Sequence, residues 1–297
     1  MRFTAYFILF ATLALWSGNW IVARSVRDDI APGIATAGRL VLVIALLAPF
    51  SARTLASKLG AYSRRDWLVL ASLAFTGGGL HLALQWLALH YTTATSAVLY
   101  LSTAPIFILL LARPLLGEAI RIRQWIGVAI SSAGVVLIGT QGKFVAPTFN
   151  VGDLLTLASM VLWGSYTVVL RMRRDPLDTP EYLTALCAIG LAFVAPWVAW
   201  ELRSGTRVSL TPTGALAVLY SAVGSLLLAY AGWSYVVRRL GAARAGVTMH
   251  LMPAIAVVLA ALFLGEYPSW YHFAGIALIL AGVGLSAIRS ASVSSIR

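Results

Sequence analysis

Long apolar runs separated by short polar joints set the frame of this chain. Ten such runs lie at about 3–24, 30–50, 67–88, 93–115, 122–141, 151–171, 179–200, 213–235, 242–264 and 270–288. Each is close to the roughly 20 residues that an α-helix needs to cross a bilayer. Lipid offers no hydrogen bonds to the backbone, so each run has to satisfy its own peptide groups and is predicted to be a helix. The longest joint, 51–66, carries Arg53, Lys58, Arg64 and Arg65. The expected fold class is all-α integral membrane, with ten transmembrane helices.

The runs come in two sets of five. Residues 105–137 and 253–285 align without a gap, and 12 of the 33 positions are identical. The matches include Pro105 with Pro253, Leu116-Gly117-Glu118 with Leu264-Gly265-Glu266, Gly127 with Gly275, and Ala133-Gly134 with Ala281-Gly282. The front halves match at an offset of 147: Leu15-Trp16 with Leu162-Trp163, Arg24 with Arg171, and Pro49 with Pro196. This divides the chain into a first repeat, 1–145, and a second, 146–297. Five is an odd number, so equivalent helices run in opposite directions through the membrane. The result is a pair of inverted five-helix repeats, the architecture of carriers that work by alternating access. Pro105 and Pro253 each remove a backbone bond from the fourth and ninth spans and are expected to act as kinks or hinges. Gly127, Ser131 and Gly134 share one face of the fifth span, and Gly275 and Gly282 repeat it in the tenth. Such faces allow close helix packing, as scaffold or as a dimer contact.

Composition sharpens this reading. The chain is 60% hydrophobic and 11% charged, with a mean hydropathy of +0.87. A soluble chain carries about 25% charged residues. The net charge of +12 sits at helix ends, where topology and anionic headgroups account for it, so nucleic acid is not an expected partner. With the N-terminus inside, fourteen Lys and Arg fall on the inner side and five on the outer, which places both termini in the cytoplasm. The inner set includes Arg2, Arg121, Arg123, Arg289 and Arg297; the outer five are Arg24, Arg27, Lys143, Arg203 and Arg207. The first apolar run resembles a signal peptide, but its counterpart around Trp163 is internal, so it is read as a span. The single Cys187 excludes an intrachain disulfide and a thiolate metal cluster; neither metal nor cofactor is expected.

All ten acidic residues fall in joints or near span ends. A carboxylate relay of the kind common in ion-driven carriers is therefore not expected. What lies deep is aromatic and neutral-polar: Trp16, Asn19 and Trp20 in the first span, His81 and Gln85 in the third, and Ser96, Tyr100 and Thr103 in the fourth. The sixth holds Trp163, Tyr166 and Thr167, the eighth Tyr230, Trp233 and Ser234, and the ninth His250 and Met252. Indole and phenol rings form flat apolar walls with a polar tip. Trp163, His81, Tyr100, Trp16, Asn19, Gln85, Tyr166, Tyr230, Trp233 and His250 are the candidate substrate wall. Aromatic packing core is the competing role for each. Trp67, Trp125, Trp197, Trp200 and Trp270 lie near span ends and read as interfacial belt residues. Arg39 is the cation near mid-membrane; it either holds a carboxylate or bonds helix-end carbonyls as structure. Its counterpart is Leu186.

Ten spans, two five-helix repeats and a doubled Pro…Leu-Gly-Glu…Gly…Ala-Gly signature resemble the EamA-type carriers of the drug/metabolite transporter superfamily, over nearly the whole chain. Trp16, the glycine-rich stretch before His81, and Trp163 resemble in particular the bacterial aromatic amino acid exporters of that family. The resemblance implies a bacterial inner membrane and outward flux of an amino acid, among membrane lipid. The family's other substrates include other amino acids, nucleobases, drugs and sugar-linked nucleotides. A broad metabolite or drug exporter is the nearest alternative. An integral membrane enzyme would need an acid–base pair or metal cluster at one face, and the sequence offers neither. Energy coupling and oligomeric state are not legible.

Overall fold

The computed structural model describes residues 2–92, 100, 102–143, 150–205, 211–264 and 268–287. Ser96, Arg207, Gly265, Glu266, Arg289 and Arg297 lie outside these residues. The described residues are helical, with no strand among them. We label the rods α1 (Arg2–Ser25), α2 (Pro32–Leu59), α3 (Arg64–Tyr91), α4 (Ala104–Leu116), α5 (Ile122–Gly139), α6 (Val151–Met172), α7 (Thr179–Arg203) and α8 (Pro212–Leu240). Rod α9 joins Ala242–Val247, Thr248–His250 and Leu251–Leu264, and α10 is Trp270–Ala287. Eight of these are long and apolar enough to cross a membrane; α4 and the apolar stretch Trp270–Ser286 of α10 are shorter. The count of ten crossings expected from the sequence is thus met by eight, and the start of the fourth span lies outside the described residues. Phe3, Phe50, Ile122 and Leu262 stand outward, 73–86% exposed, as side chains facing lipid do.

The buried acids Asp153, Glu181 and Glu201 are all engaged at helix ends. Asn150 with Asp153 and Asp178 with Glu181 form reciprocal caps that start α6 and α7, satisfying N–H groups that have no intrahelical partner. Glu201 reaches from the end of α7 to the start of α2, accepting from Gly33 N and Ile34 N at 2.9 Å each. The first copy of the Leu-Gly-Glu motif has a similar use. Gly117 ends α4 at φ +66°, a left-handed cap that glycine adopts without strain. Glu118 then accepts from Ala242 N and Ala243 N at 3.1 Å, tying the first repeat to the start of α9.

Two rods depart from regular α-helix at matched places. A π-helical stretch occupies Ala74–Gly79 in α3 and Ser221–Leu228 in α8. They begin 147 positions apart (74 and 221), which is the repeat offset. A π turn loosens the i−4 ladder and presents carbonyls sideways. The glycines of the first serve close contacts. A side chain at Gly77 would run into the Tyr166 ring, and one at Gly190 in α7 would come within 2.5 Å of Gly78 O.

Both prolines follow an irregular turn. Pro105 lies in the first turn of α4, just after a turn at Ser102–Thr103, and Pro253 follows the 3-10 turn Thr248–His250. Proline's missing N–H is harmless in a first turn, so each marks a break upstream of itself.

The small-residue faces of α5 and α10 meet each other. A Cβ at Gly134 would fall 2.5 Å from Gly275 O, and one at Gly127 would collide with Gly282 O and Ser286. Of the two roles expected for these faces, the structure shows intrachain scaffold.

Candidate functional site

Four rods bring a block of rings together between the halves. Trp16 of α1 meets Trp163 of α6 edge to face, with centroids 4.9 Å apart and planes at 86°. Tyr230 and Trp233 of α8 lie 6.2 and 5.3 Å from Trp16. Trp163 also contacts His81 at 5.1 Å, Tyr166 at 5.0 Å, Tyr230 at 5.6 Å and Trp233 at 5.9 Å. Trp163 is thus the hub. It is 3% exposed and Trp16 7%, so the interfacial-belt role is excluded for both. Offset and edge-on ring pairs of this kind add about 0.5–1.5 kcal/mol each beyond area burial.

Polar tips of these rings are tied down. Trp163 Nε1 donates to Met249 Sδ at 3.1 Å, and Trp233 Nε1 to Thr167 Oγ1 at 3.2 Å. The Tyr182 hydroxyl donates to that of Tyr166 at 3.2 Å. Two bonds cross between the repeats and use the π stretches: Tyr230 donates to Gly77 O at 2.8 Å, and Trp16 Nε1 to Ser225 O at 3.0 Å.

Two small pockets adjoin this block. One, of about 30 Å³, is walled by Trp16, Trp163, Tyr230, His81, Gln85 and Met160, among others. The second, of about 50 Å³, lies beside it against Ser17, Ser102, Val135, His250, Pro253 and Ala256. Trp20, Met249 and Met252 border both. These volumes fall well short of a small-molecule site, so a solute fits only once the surrounding side chains move apart. His81 Nδ1 is committed to Ser159, at 2.8 Å from its hydroxyl and 3.0 Å from its carbonyl. A ligand can therefore meet this ring only through its Nε2 edge.

The structure sorts the ten candidates. Trp16, His81, Gln85, Trp163 and Tyr230 wall the first pocket, and His250 walls the second. Tyr166 and Trp233 stand behind, buttressing Trp163. Asn19 is buried and accepts from Ser221 Oγ at 2.6 Å, bracing α1 against the π stretch of α8. Tyr100 is half-buried and borders neither of these two pockets. His250 is held at both nitrogens, by Ser131 Oγ and by Ser102 O. Met160, Met249, Ser17 and Ser225 were not among the candidates. The methionines flank Trp163 and His250 in sequence, which was the available signal; the Ser225 carbonyl that accepts from Trp16 belongs to a π turn that no residue pattern announces.

Comparison with known proteins agrees with the fold. The model of the EamA-like transporter family matches residues 3–140 and 150–288. An uncharacterized transporter of Archaeoglobus fulgidus is 32% identical over 293 residues, 96% of this chain and 98% of that one. A probable terminal-alkyne amino-acid exporter of Streptantibioticus cattleyicolor is 29% identical over 225 residues, 74% of this chain and 73% of its own. A solved structure superposes with a TM-score of 0.76 at 24% identity, covering 97% of both chains, and so shares the fold. Two family matches, a full-length transporter relative and eight membrane-length helices make this chain a multi-pass membrane transporter, not an enzyme, and a member of the EamA-like family.

Proposed function

We propose that this protein exports aromatic and related apolar amino acids across the bacterial inner membrane, by alternating access around the pocket walled by Trp163. The observation that carries the reading is the ring cluster: Trp16, Trp163 and Tyr230 form an apolar wall with His81 and Gln85 at its edge. Rings stack on a side chain, while an imidazole and an amide take the ends of a zwitterion. A zwitterion brings its own opposite charges, so neutral donors and acceptors can hold it. One relative is named as an amino-acid exporter, which supports the substrate class. The repeats would lie at 1–145 and 146–297 with both termini in the cytoplasm, and the breaks before Pro105 and Pro253 would flex as the halves rock.

Reconstitution in liposomes with radiolabelled phenylalanine or tryptophan tests this. Saturable flux competed by other aromatic amino acids is the expected result, and running it with and without a pH gradient reads the coupling. Absence of aromatic flux would sink the substrate assignment. A second reading, a broad exporter of apolar solutes, is favoured by Met160, Met249 and Met252 around the pockets, since flexible thioethers repack around varied ligands. Equal competition by aliphatic amino acids and unrelated apolar drugs would select it.

A further inference from the structure

Arg39 is 0% exposed in α2. Its Nη2 donates to Leu82 O at 2.8 Å and to Thr36 Oγ1 at 3.3 Å. Its Nε and Nη1 are buried and have no hydrogen-bond partner. Ion pairs among the described residues join Arg27 to Asp28, Lys58 to Glu181 and Arg173 to Asp175, so none reaches Arg39. The guanidinium lies 5.2 Å from the centre of the Trp86 ring, and Trp86 Nε1 is a further buried donor without a partner. Three donor nitrogens thus collect in one apolar region with a positive charge and nothing to accept from them. Such groups are rarely left unsatisfied, and an ionisable residue inside a membrane protein marks a functional site more often than a structural one.

We propose that Arg39 and Trp86 form an anion site of carboxylate type, and that the anion is the carboxylate of the transported solute. The inference rests on the amino acid reading above. Guanidinium and carboxylate match in shape and charge. Placement agrees: Arg39 bonds the carbonyl of Leu82, which borders the ring-lined pocket together with His81 and Gln85 and stands one turn before Trp86 along α3. A solute with its side chain against Trp163 would turn its carboxylate toward α2. Free chloride is the other source of the same chemistry.

The test is ligand-induced thermal stabilisation of the purified full-length protein. The probes are phenylalanine, phenylalaninamide, and chloride against a bulky sulfonate, applied to wild type, Arg39→Gln and Trp86→Phe. The expected result is that wild type prefers phenylalanine to the amide by at least about tenfold, the size of a hydrogen bond to a charged group. Arg39→Gln erases that preference, and Trp86→Phe, which keeps the ring, reduces it severalfold while amide binding holds. Equal loss of both ligands in Arg39→Gln, or a preference that survives both substitutions, overturns the proposal. If Arg39→Gln does not fold, Trp86→Phe decides. Stabilisation by chloride alone, lost in the variants, supports the site and assigns it to the free ion. If wild type takes neither phenylalanine nor its amide, the aromatic reading fails by itself; titration with chloride and benzoate then decides the anion site, and no response to either overturns it.

Discussion

The two halves of this chain meet in two very different ways. Along α5 and α10 they touch backbone to backbone, with Gly134 against Gly275 and Gly127 against Gly282. Around Trp163 they touch through large rings, and pockets open beside them. Glycine contact leaves nothing to rearrange, because a main chain has no alternative rotamers. Ring contact does, since indoles and thioethers can tilt and repack. The first region suits a fixed pivot and the second a place that changes shape around a solute.

Mutation can break this contrast. The largest effect is expected at the glycine seam. Gly134→Val forces a branched side chain into a space where even a Cβ would lie 2.5 Å from a carbonyl. Overpacking costs about 1–3 kcal/mol, and occasionally more, so little folded protein should be recovered in a detergent size-exclusion assay. A monodisperse variant of normal melting temperature would show that the seam is not rigid. Next comes Trp163→Ala, for which transport should fall by at least about 100-fold, near the upper range for a lost apolar contact in a binding pocket. The folded carrier should still be recovered from the membrane. Normal flux in that variant would move the site elsewhere. Tyr230→Phe sharpens the comparison, because it removes the bond to Gly77 O and keeps the ring. A net hydrogen bond is worth about 1 kcal/mol, so flux should change about fivefold with substrate affinity nearly constant. An affinity change of that size with no change in rate would make Tyr230 a binding group and not a brace. The smallest effect belongs outside both regions. Arg27 pairs with Asp28 at 3.3 Å, with the two side chains 33% and 82% exposed. Asp28→Ala should cost no more than about 1 kcal/mol and leave transport intact; a lost transport signal there would mean that the moving region extends to this end of the molecule.

Much of this was legible from residue types alone. Span positions follow from apolar length, and the repeat from identity at a fixed offset. Trp16, His81, Gln85, Trp163, Tyr230 and His250 were recognisable as wall candidates because polar and aromatic groups so deep in lipid need a reason. Asn19 and Tyr100 show the limit. Sharing a helical face with Trp16 put Asn19 on the list, but its amide braces a π turn, and face-sharing cannot tell a wall from a brace. The π stretches were invisible, since Ala74–Gly79 and Ser221–Leu228 have little in common beyond Gly77 and Gly224. Nor could the sequence pair the glycine faces with each other, because a small residue permits close approach without naming its partner.

The crossed bonds onto the π stretches are also unlike each other. Trp16 serves the second stretch, yet its twin Trp163 does not serve the first; Tyr230 does that, and Trp163 turns to Met249 and the pocket. Duplication alone would have produced two equal latches. Divergence handed one of them to a phenol and released an indole for other use. In the proposed alternating cycle the inward-open and outward-open forms would then not be mirror images. The difference between an indole latch and a phenol latch would help set their ratio, and a solute would act on that ratio only through its unequal grip on the two forms.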